Sequence, residues 1–186
     1  MAPWHTRAST TVYENAWIRV REDAVTRPDG RPGVYGVVEV RQPAVFVVPV
    51  TPEGEVVLVE VERYTTGLRS LEVPAGGSDG QDALTAARRE LLEETGLVSD
   101  DWQELAAVYS LNGVSDAPGH VLLARDVRPA PDAGTVAADG QAEEGIVQVQ
   151  RRTWPEVVEL LRTGALTDGE SVAALMYAAV ALGRLT

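Results

Sequence analysis

The sequence predicts an α/β protein: a small antiparallel β unit at residues 1–41, then a larger domain of mixed strands and helices at 42–186. Three observations carry this. Short alternating or wholly apolar runs, broken by turn residues, fill the first third of the chain. A run of acidic and aliphatic residues with helical spacing follows, bounded by Asp82 and Gly96. Two further segments near the C-terminus each open with a capping pattern. The length, 186 residues, suits one domain with a small extension.

Thr11-Val12-Tyr13, Trp17-Ile18-Arg19-Val20 and Val34 to Val40 alternate as strands do, and Arg27-Pro28-Asp29-Gly30 carries turn chemistry between the last two. Ala44 to Val50 is an apolar run, and Pro52-Glu53-Gly54 turns the chain into Val56-Val57-Leu58-Val59, which reads as a hairpin. Asp82 suits the N-cap of the next helix and Gly96 its C′ position. Strand-like segments recur at Leu105–Tyr109 and Val121–Arg125. Arg128–Gly145 is rich in Pro, Ala, Gly and Asp, lacks periodicity, and carries Asp132, Asp139, Glu143 and Glu144. A structureless segment of this length is either a mobile linker or a functional lid. Thr153-Trp154-Pro155-Glu156 reads as a capping box with proline in the first turn, opening a helix that ends near Gly164. Thr167-Asp168-Gly169-Glu170 reads as a second, opening a helix through Leu182 whose alanine-rich face packs on the core.

The net charge is −12, from 16 basic and 28 acidic residues, with no cysteine. Such a balance argues against a duplex nucleic-acid partner, which needs a basic face. It permits a small phosphorylated substrate, because a bound divalent cation inverts the local potential. Disulfides, thiolate metal sites and cysteine nucleophiles are excluded. The start, Met1-Ala-Pro-Trp-His, lacks the features of a signal peptide, and no apolar run approaches the ~18 residues of a membrane span. The expectation is a cytoplasmic protein without a membrane partner.

The most informative stretch is Arg89-Glu90-Leu91-Leu92-Glu93-Glu94-Thr95-Gly96-Leu97. At roughly 100° per residue, Glu90, Glu93 and Glu94 fall within about a 100° arc, while Leu84, Ala87 and Leu91 share the other side. Glu90 and Glu94 form a like-charge pair one turn apart, which costs a helix roughly 0.2–0.5 kcal/mol. Such a face is either solvated, with Arg89 paired to Glu93, or binds a cation. Hard oxygen donors without Cys or His suit Mg²⁺ or Mn²⁺. His5 and His120 offer no metal pair by their spacing, and His120 reads as a strand residue.

This string, preceded by Pro74-Ala75-Gly76-Gly77, resembles the Nudix hydrolase box, Gly-x5-Glu-x7-Arg-Glu-U-x-Glu-Glu-x-Gly-U with U aliphatic. The C-terminal half matches throughout, but the N-terminal half departs. Counting back from Arg89 puts Ala75 where the box glycine belongs; taking Gly76 instead implies a loop one residue short. Gln81 stands where the family has its first glutamate, a brace for the box arginine. It can hydrogen-bond Arg89 but cannot form a charged pair with it. Beyond the box, Arg63-Tyr64-Thr65-Thr66-Gly67, Leu71 to Gly76, Gly113-Val114-Ser115-Asp116 with His120 to Ala124, and Thr163 to Leu175 are similar to the ADP-ribose pyrophosphatase-like branch. The likeness runs from about Val12 to Tyr177. Two departures are Val61-Glu62 before Arg63, where a polar-aromatic pair is usual, and Ala117, where relatives often carry glutamate.

The resemblance implies a Nudix α/β/α sandwich around a mixed sheet, with the N-terminal unit serving dimerisation and base binding. It implies metal-dependent hydrolysis of the pyrophosphate bond of a nucleoside diphosphate sugar such as ADP-ribose. The metal shell carried over is Glu90, Glu94 and the Ala75 carbonyl, with Glu93 beside them. The general base falls on Glu144, with Glu143 the neighbouring alternative and Glu93 the alternative from other branches. Trp17 and Tyr35 match aromatics that stack the nucleobase. Arg63 is either a phosphate contact or one half of a structural ion pair. Relatives are homodimers that complete the pocket across subunits. Alternatives are a pyrophosphatase for another nucleotide such as GDP-mannose, or a catalytically weak domain that senses a nucleotide.

Overall fold

The computed structural model describes residues 3–131 and 133–184. Its elements in chain order are β1 (His5–Glu14), β2 (Ile18–Thr26), β3 (Pro32–Val40), β4 (Ala44–Pro49), β5 (Val56–Arg63), β6 (Leu68–Glu72), β7 (Ala75–Gly77) and α1 (Ala83–Thr95). There follow β8 (Leu97–Val98), β9 (Asp101–Tyr109), β10 (Ser115–Asp116), β11 (Pro118–Arg125), β12 (Arg128–Pro129), α2 (Gly134–Glu144), β13 (Ile146–Arg152), α3 (Trp154–Thr163) and α4 (Gly169–Ala181). They form two compact units, Met1–Pro43 with Val108–Gly119, and Ala44–Ala107 with His120–Thr186. None of the described helices is long and apolar enough to cross a membrane.

In the first unit the alternating runs become an antiparallel meander, β1-β2-β3, with the short β10 added in parallel to β3. The β2–β3 register sets Ile18 opposite Val40 and Asp23 opposite Tyr35. Arg19 and Arg21 share the Glu39 carboxylate at 2.6 and 2.5 Å on one face of this sheet. β1 is an edge strand exposed along its whole length. Residues 108–119, a stretch outside the 1–41 segment, complete the unit.

In the second unit, β7-β4-β11-β9 form one sheet and β13-β5-β6 another, with β8 and β12 as a small antiparallel pair. α1 and α4 both pack on β4. This accounts for the apolar run there: a strand covered on both faces keeps no polar alternation. Val45, Val47, Val57, Ala86, Ala87, Leu91 and Leu122 make one core cluster. The expected hairpin of β4 and β5 is corrected. The turn does reverse the chain, but the runs meet only at a single bridge, Val50 with Val56. Beyond it β4 joins β7 and β11 while β5 joins β6 and β13. A turn signal dictates reversal only; which edge each apolar strand takes depends on partners distant in sequence.

The capping reading holds for two helices. The Asp82 carboxylate accepts from the Thr85 amide at 3.0 Å, and Gly96 closes α1 in the left-handed region at φ 71°. Thr153 and Glu156 form a reciprocal capping box at the start of α3. The second expected capping box is corrected. Asp168, not Thr167, caps α4, accepting from the Ser171 amide at 2.7 Å, while the Thr167 hydroxyl lies 3.4 Å from that of Ser70.

The reading of 128–145 as structureless is also corrected. Arg128 and Pro129 pair with β8, and α2 occupies Gly134–Glu144; Asp132 lies outside the described residues. α2 packs on α1 through small residues. A Cβ on Gly140 would stand 2.7 Å from the Glu93 carbonyl, one on Gly96 would meet Ala137 at 3.4 Å, and Gln141 Nε2 donates to the Glu94 carbonyl at 2.9 Å. A helix whose contact face is glycine and alanine sits close to its neighbour and leaves no apolar stripe to read.

Candidate active site

The site is built on α1 where it meets β7. The solvated reading of the acidic face is corrected for two of its three members: β7 lies over this side of α1 and leaves Glu90 and Glu94 at 5% and 4% exposure. Glu93, on the flank of the arc, stays partly exposed and accepts from Arg89 Nη1 at 3.0 Å. β7 runs against β4 in the register Ala75 to Phe46 and Gly76 to Val45, holding the backbone against both acids. The Ala75 amide donates to Glu94 Oε2 at 3.3 Å. A Cβ on Gly76 would overlap the Glu90 carboxylate, so only glycine lets β7 approach this closely. Gly76, rather than Ala75, is thus the residue of this loop whose lack of a side chain makes room for the Glu90 carboxylate.

Arg89 joins helix and loop. It donates to the Gly77 carbonyl at 2.7 Å and to Gln81 Oε1 at 3.2 Å, and lies 2.9 Å from Glu90 and 3.2 Å from Asp79. The hydrogen bond from Arg89 to Gln81 read from the sequence is therefore present. Asp79 is a contact that sequence reasoning missed.

Burial pushes the Glu94 carboxyl up to about 9, with the Glu90 charge adding to the effect and the Ala75 amide opposing it. Burial likewise raises Glu90 to about 7, opposed first by Arg89. The Glu144 charge raises both, which places this residue, at the end of α2, within electrostatic reach of the pair.

Two neighbouring carboxylates whose burial disfavours their charge are a poor resting arrangement without a cation. Among the described residues no three His, Cys, Asp or Glu side chains stand as a ready metal cluster. Arg89 Nη1 lies between Glu90 and Glu93, at 2.9 and 3.0 Å, while Glu94 is bonded to the Ala75 amide; Glu90 and Glu94 are the buried donors and Glu93 stands beside them, with main-chain or phosphate oxygens to complete a shell. Hard oxygen donors of this kind fit a divalent cation.

A cleft of about 500 Å³ borders the site through Ala75, with Phe46, Arg63, Glu72, Thr167 and Asp168 in its wall. Arg63 holds the buried Glu72 carboxylate through Nε at 3.0 Å and Nη2 at 2.5 Å. The ion-pair reading of Arg63 is thus realised, and the pair faces the cleft. Tyr35 and Trp17 belong to the first unit and are not together. Tyr35 donates to the Gly113 carbonyl at 2.7 Å and meets Trp4 edge-on at 5.4 Å. Trp17, 74% exposed, bonds through its carbonyl to Arg41, six residues beyond Tyr35, or about 20 Å along the strand. Trp4 carries no sequence signal that would have singled it out. His120 is a β11 residue bonded to Glu104 at 2.8 Å, as a strand position implies.

Comparison with known proteins adds to this geometry. Residues 4–38 match the family described as nucleoside diphosphate sugar hydrolase N-terminal domain, and residues 40–175 match the NUDIX domain. An ADP-ribose pyrophosphatase of Mycobacterium tuberculosis is 35% identical over 127 residues, 67% of this chain and 61% of that one. One of Bacillus subtilis is 26% identical over 173 residues, covering 92% and 90%. A methanol dehydrogenase activator of Bacillus methanolicus is 27% identical over 168 residues, covering 89% and 87%. The crystal structure of an ADP compounds hydrolase shares the fold, with a TM-score of 0.81 at 20% identity over 100% of this chain and 98% of that one. Nudix hydrolases generally use a divalent metal. With the NUDIX match spanning most of the chain and its acidic helix set against a close-approaching glycine, this protein belongs to the Nudix family.

Proposed function

We propose that this protein hydrolyses the pyrophosphate bond of a nucleoside diphosphate sugar of the ADP-ribose type, giving a nucleoside monophosphate and a sugar phosphate, with Mg²⁺ or Mn²⁺. The observation that carries this is the buried Glu90–Glu94 pair beside Gly76, bordering a cleft large enough for part of a nucleotide sugar. Relatives named ADP-ribose pyrophosphatase and ADP-sugar pyrophosphatase support the substrate class.

Glu90 and Glu94 would hold the cation, with the Ala75 carbonyl; bound there, it neutralises the pyrophosphate oxygens and favours hydroxide near neutral pH. Arg89 orients Glu90 and Glu93. Arg63, with Nη1 outside its pair with Glu72, offers a charged contact to a phosphate in the cleft. Glu144 is assigned as general base, because it reaches the carboxylate pair electrostatically while Glu93 is already bonded to Arg89. Glu143 remains the neighbouring alternative.

In the first unit, Trp17 and Tyr35 are proposed as nucleobase contacts; standing about 20 Å apart along one sheet, they would flank one base from two different protomers. The exposed apolar side chains Trp4, Val12, Tyr13, Trp17 and Val34 and the bare β1 edge favour a homodimer through this unit. The acidic balance favours a small-molecule partner over nucleic acid, and a cytoplasmic setting is proposed. A second reading, GDP-mannose as substrate, is supported by a Yersinia enterocolitica GDP-mannose pyrophosphatase 27% identical over 138 residues.

Incubation with a panel of nucleoside diphosphate sugars and Mg²⁺, followed by assay of nucleoside monophosphate, tests the proposal. Release from ADP-ribose above the other substrates is expected. Preferential release of GMP from GDP-mannose would favour the second reading, and binding without release would mean a nucleotide sensor. Light scattering checks the dimer; a 19.9 kDa species at micromolar concentration would refute it.

A further inference from the structure

The box loop of this chain is one residue short and has lost its glutamate to Gln81, yet Arg89 is held firmly. The turn chemistry shows how. The Gln81 amide donates to the Ser78 carbonyl at 2.8 Å, closing a four-residue turn with Asp79 and Gly80 at its centre. Both central residues have positive φ, 49° and 78°, the signature of a type I′ turn, for which Asp-Gly is a favoured pair. Asp tolerates this backbone better than most residues because its short side chain bonds locally. The turn brings Asp79 Oδ2 to 3.2 Å from Arg89 Nη2, the nitrogen that also donates to the Gly77 carbonyl.

We propose that Asp79 is the charged positioning residue for Arg89, standing in for the carboxylate that Gln81 lacks. The tight turn makes up for the missing residue and the substituted glutamate together: it shortens the path from β7 to α1 and delivers a carboxylate from two positions earlier. Arg89 is then gripped from the loop side by Gly77, Asp79 and Gln81, and from the helix side by Glu90 and Glu93. Burial disfavours its charge, but Glu90, Glu93 and Asp79 outweigh that and raise its pKa. Removing Asp79 leaves Gln81 as the remaining side-chain tie on the loop side, and lets the guanidinium swing with the Glu90 carboxylate it orients. The functional part of the inference rests on reading Glu90 as a cation ligand; the contact itself does not.

Asp79→Asn removes the charge and keeps a residue suited to positive φ. Because the Asp79 side chain is 70% exposed, the expected loss is modest, with kcat for the released nucleotide down about fivefold and KM little changed. In a Gln81→Glu background, where a carboxylate again faces Arg89, the same substitution should cost less than about twofold, since partners sharing one arginine are not additive. A readout independent of turnover is the Arg89 Nε–H signal in metal-free protein, which should broaden or shift in Asp79→Asn and recover in the double variant. Melting temperatures of all four proteins in EDTA show whether the turn has collapsed; Asp79→Gly, which keeps positive φ without a carboxylate, should then repeat the Asp79→Asn result. Equal losses of kcat in both backgrounds, or an Arg89 signal unmoved by Asp79→Asn, would overturn the proposal. Should the wild type show no turnover, the Arg89 signal still decides the contact, and only the functional reading fails.

Discussion

Replacing Glu94 with glutamine should abolish turnover while making the metal-free protein more stable near neutral pH. Glu94 is buried at 4% exposure and its carboxyl is pushed up to about 9, whereas in the unfolded chain it titrates near 4.5. The sign follows from the raised value. The folded state favours the neutral carboxyl, so its contribution is complete below about pH 4.5 and is lost as pH rises toward about 9. At pH 7 the two states have diverged over about 2.5 pH units, and at about 1.4 kcal/mol per unit the penalty is on the order of 3 kcal/mol. The glutamine side chain would not titrate, and its amide oxygen can still accept from the Ala75 amide. For a chain of this size about 1 kcal/mol corresponds to roughly 2–4 °C, so the variant in EDTA should melt up to about 10 °C higher at pH 7 and match wild type near pH 4.5. Glu90, Glu144 and Arg63 face the same carboxyl, so removing its charge also eases Glu90. Excess Mg²⁺ should reverse the order, because wild type keeps both cation ligands and gains by binding. Melts from about pH 4.5 to 9 with EDTA or Mg²⁺, alongside nucleotide release, test this. Parallel pH profiles for the two proteins in EDTA, or unchanged turnover at saturating Mg²⁺, would refute the reasoning.

Glu144→Gln should lower kcat by roughly 10²–10⁴, the range for a lost general base, with substrate binding little altered, while Glu143→Gln is mild. If both are mild and Glu93→Gln is severe, the base lies in α1. Gly76→Ala puts a methyl into the Glu90 carboxylate and should abolish activity at a stability cost of about 1–3 kcal/mol; a fully active variant in kinetic assay would contradict the close approach. Gly140→Ala sets a Cβ 2.7 Å from the Glu93 carbonyl, so α2 must shift off α1. Faster amide exchange across α2 and a reduced kcat are expected, and unchanged exchange would argue that the helix is not held there.

The features legible in the amino-acid order are those whose physics is local. The α1 string, its Asp82 cap and its Gly96 stop, the Thr153 capping box and the β1–β2–β3 meander all rest on spacing and turn chemistry within a few residues. The burial of Glu90 and Glu94 is not among them: helical period sets the acids on the side away from Leu84, Ala87 and Leu91, and it is β7, brought in from outside the helix, that covers them. Whatever needs a distant partner was settled by packing in three dimensions. Residues 134–144 look structureless because their contact face is glycine and alanine, and they are helical because α1 offers a surface close enough for backbone-to-backbone packing. β4 and β5 part company because other strands compete for their edges. Tyr35 meets Trp4 rather than Trp17 because the register of β2 on β3 sends Trp17 to the other end of the strand. Asp79 finds Arg89 because a two-residue turn with positive φ aims it there, and φ is a property that the letters Asp-Gly allow but only the closed loop imposes.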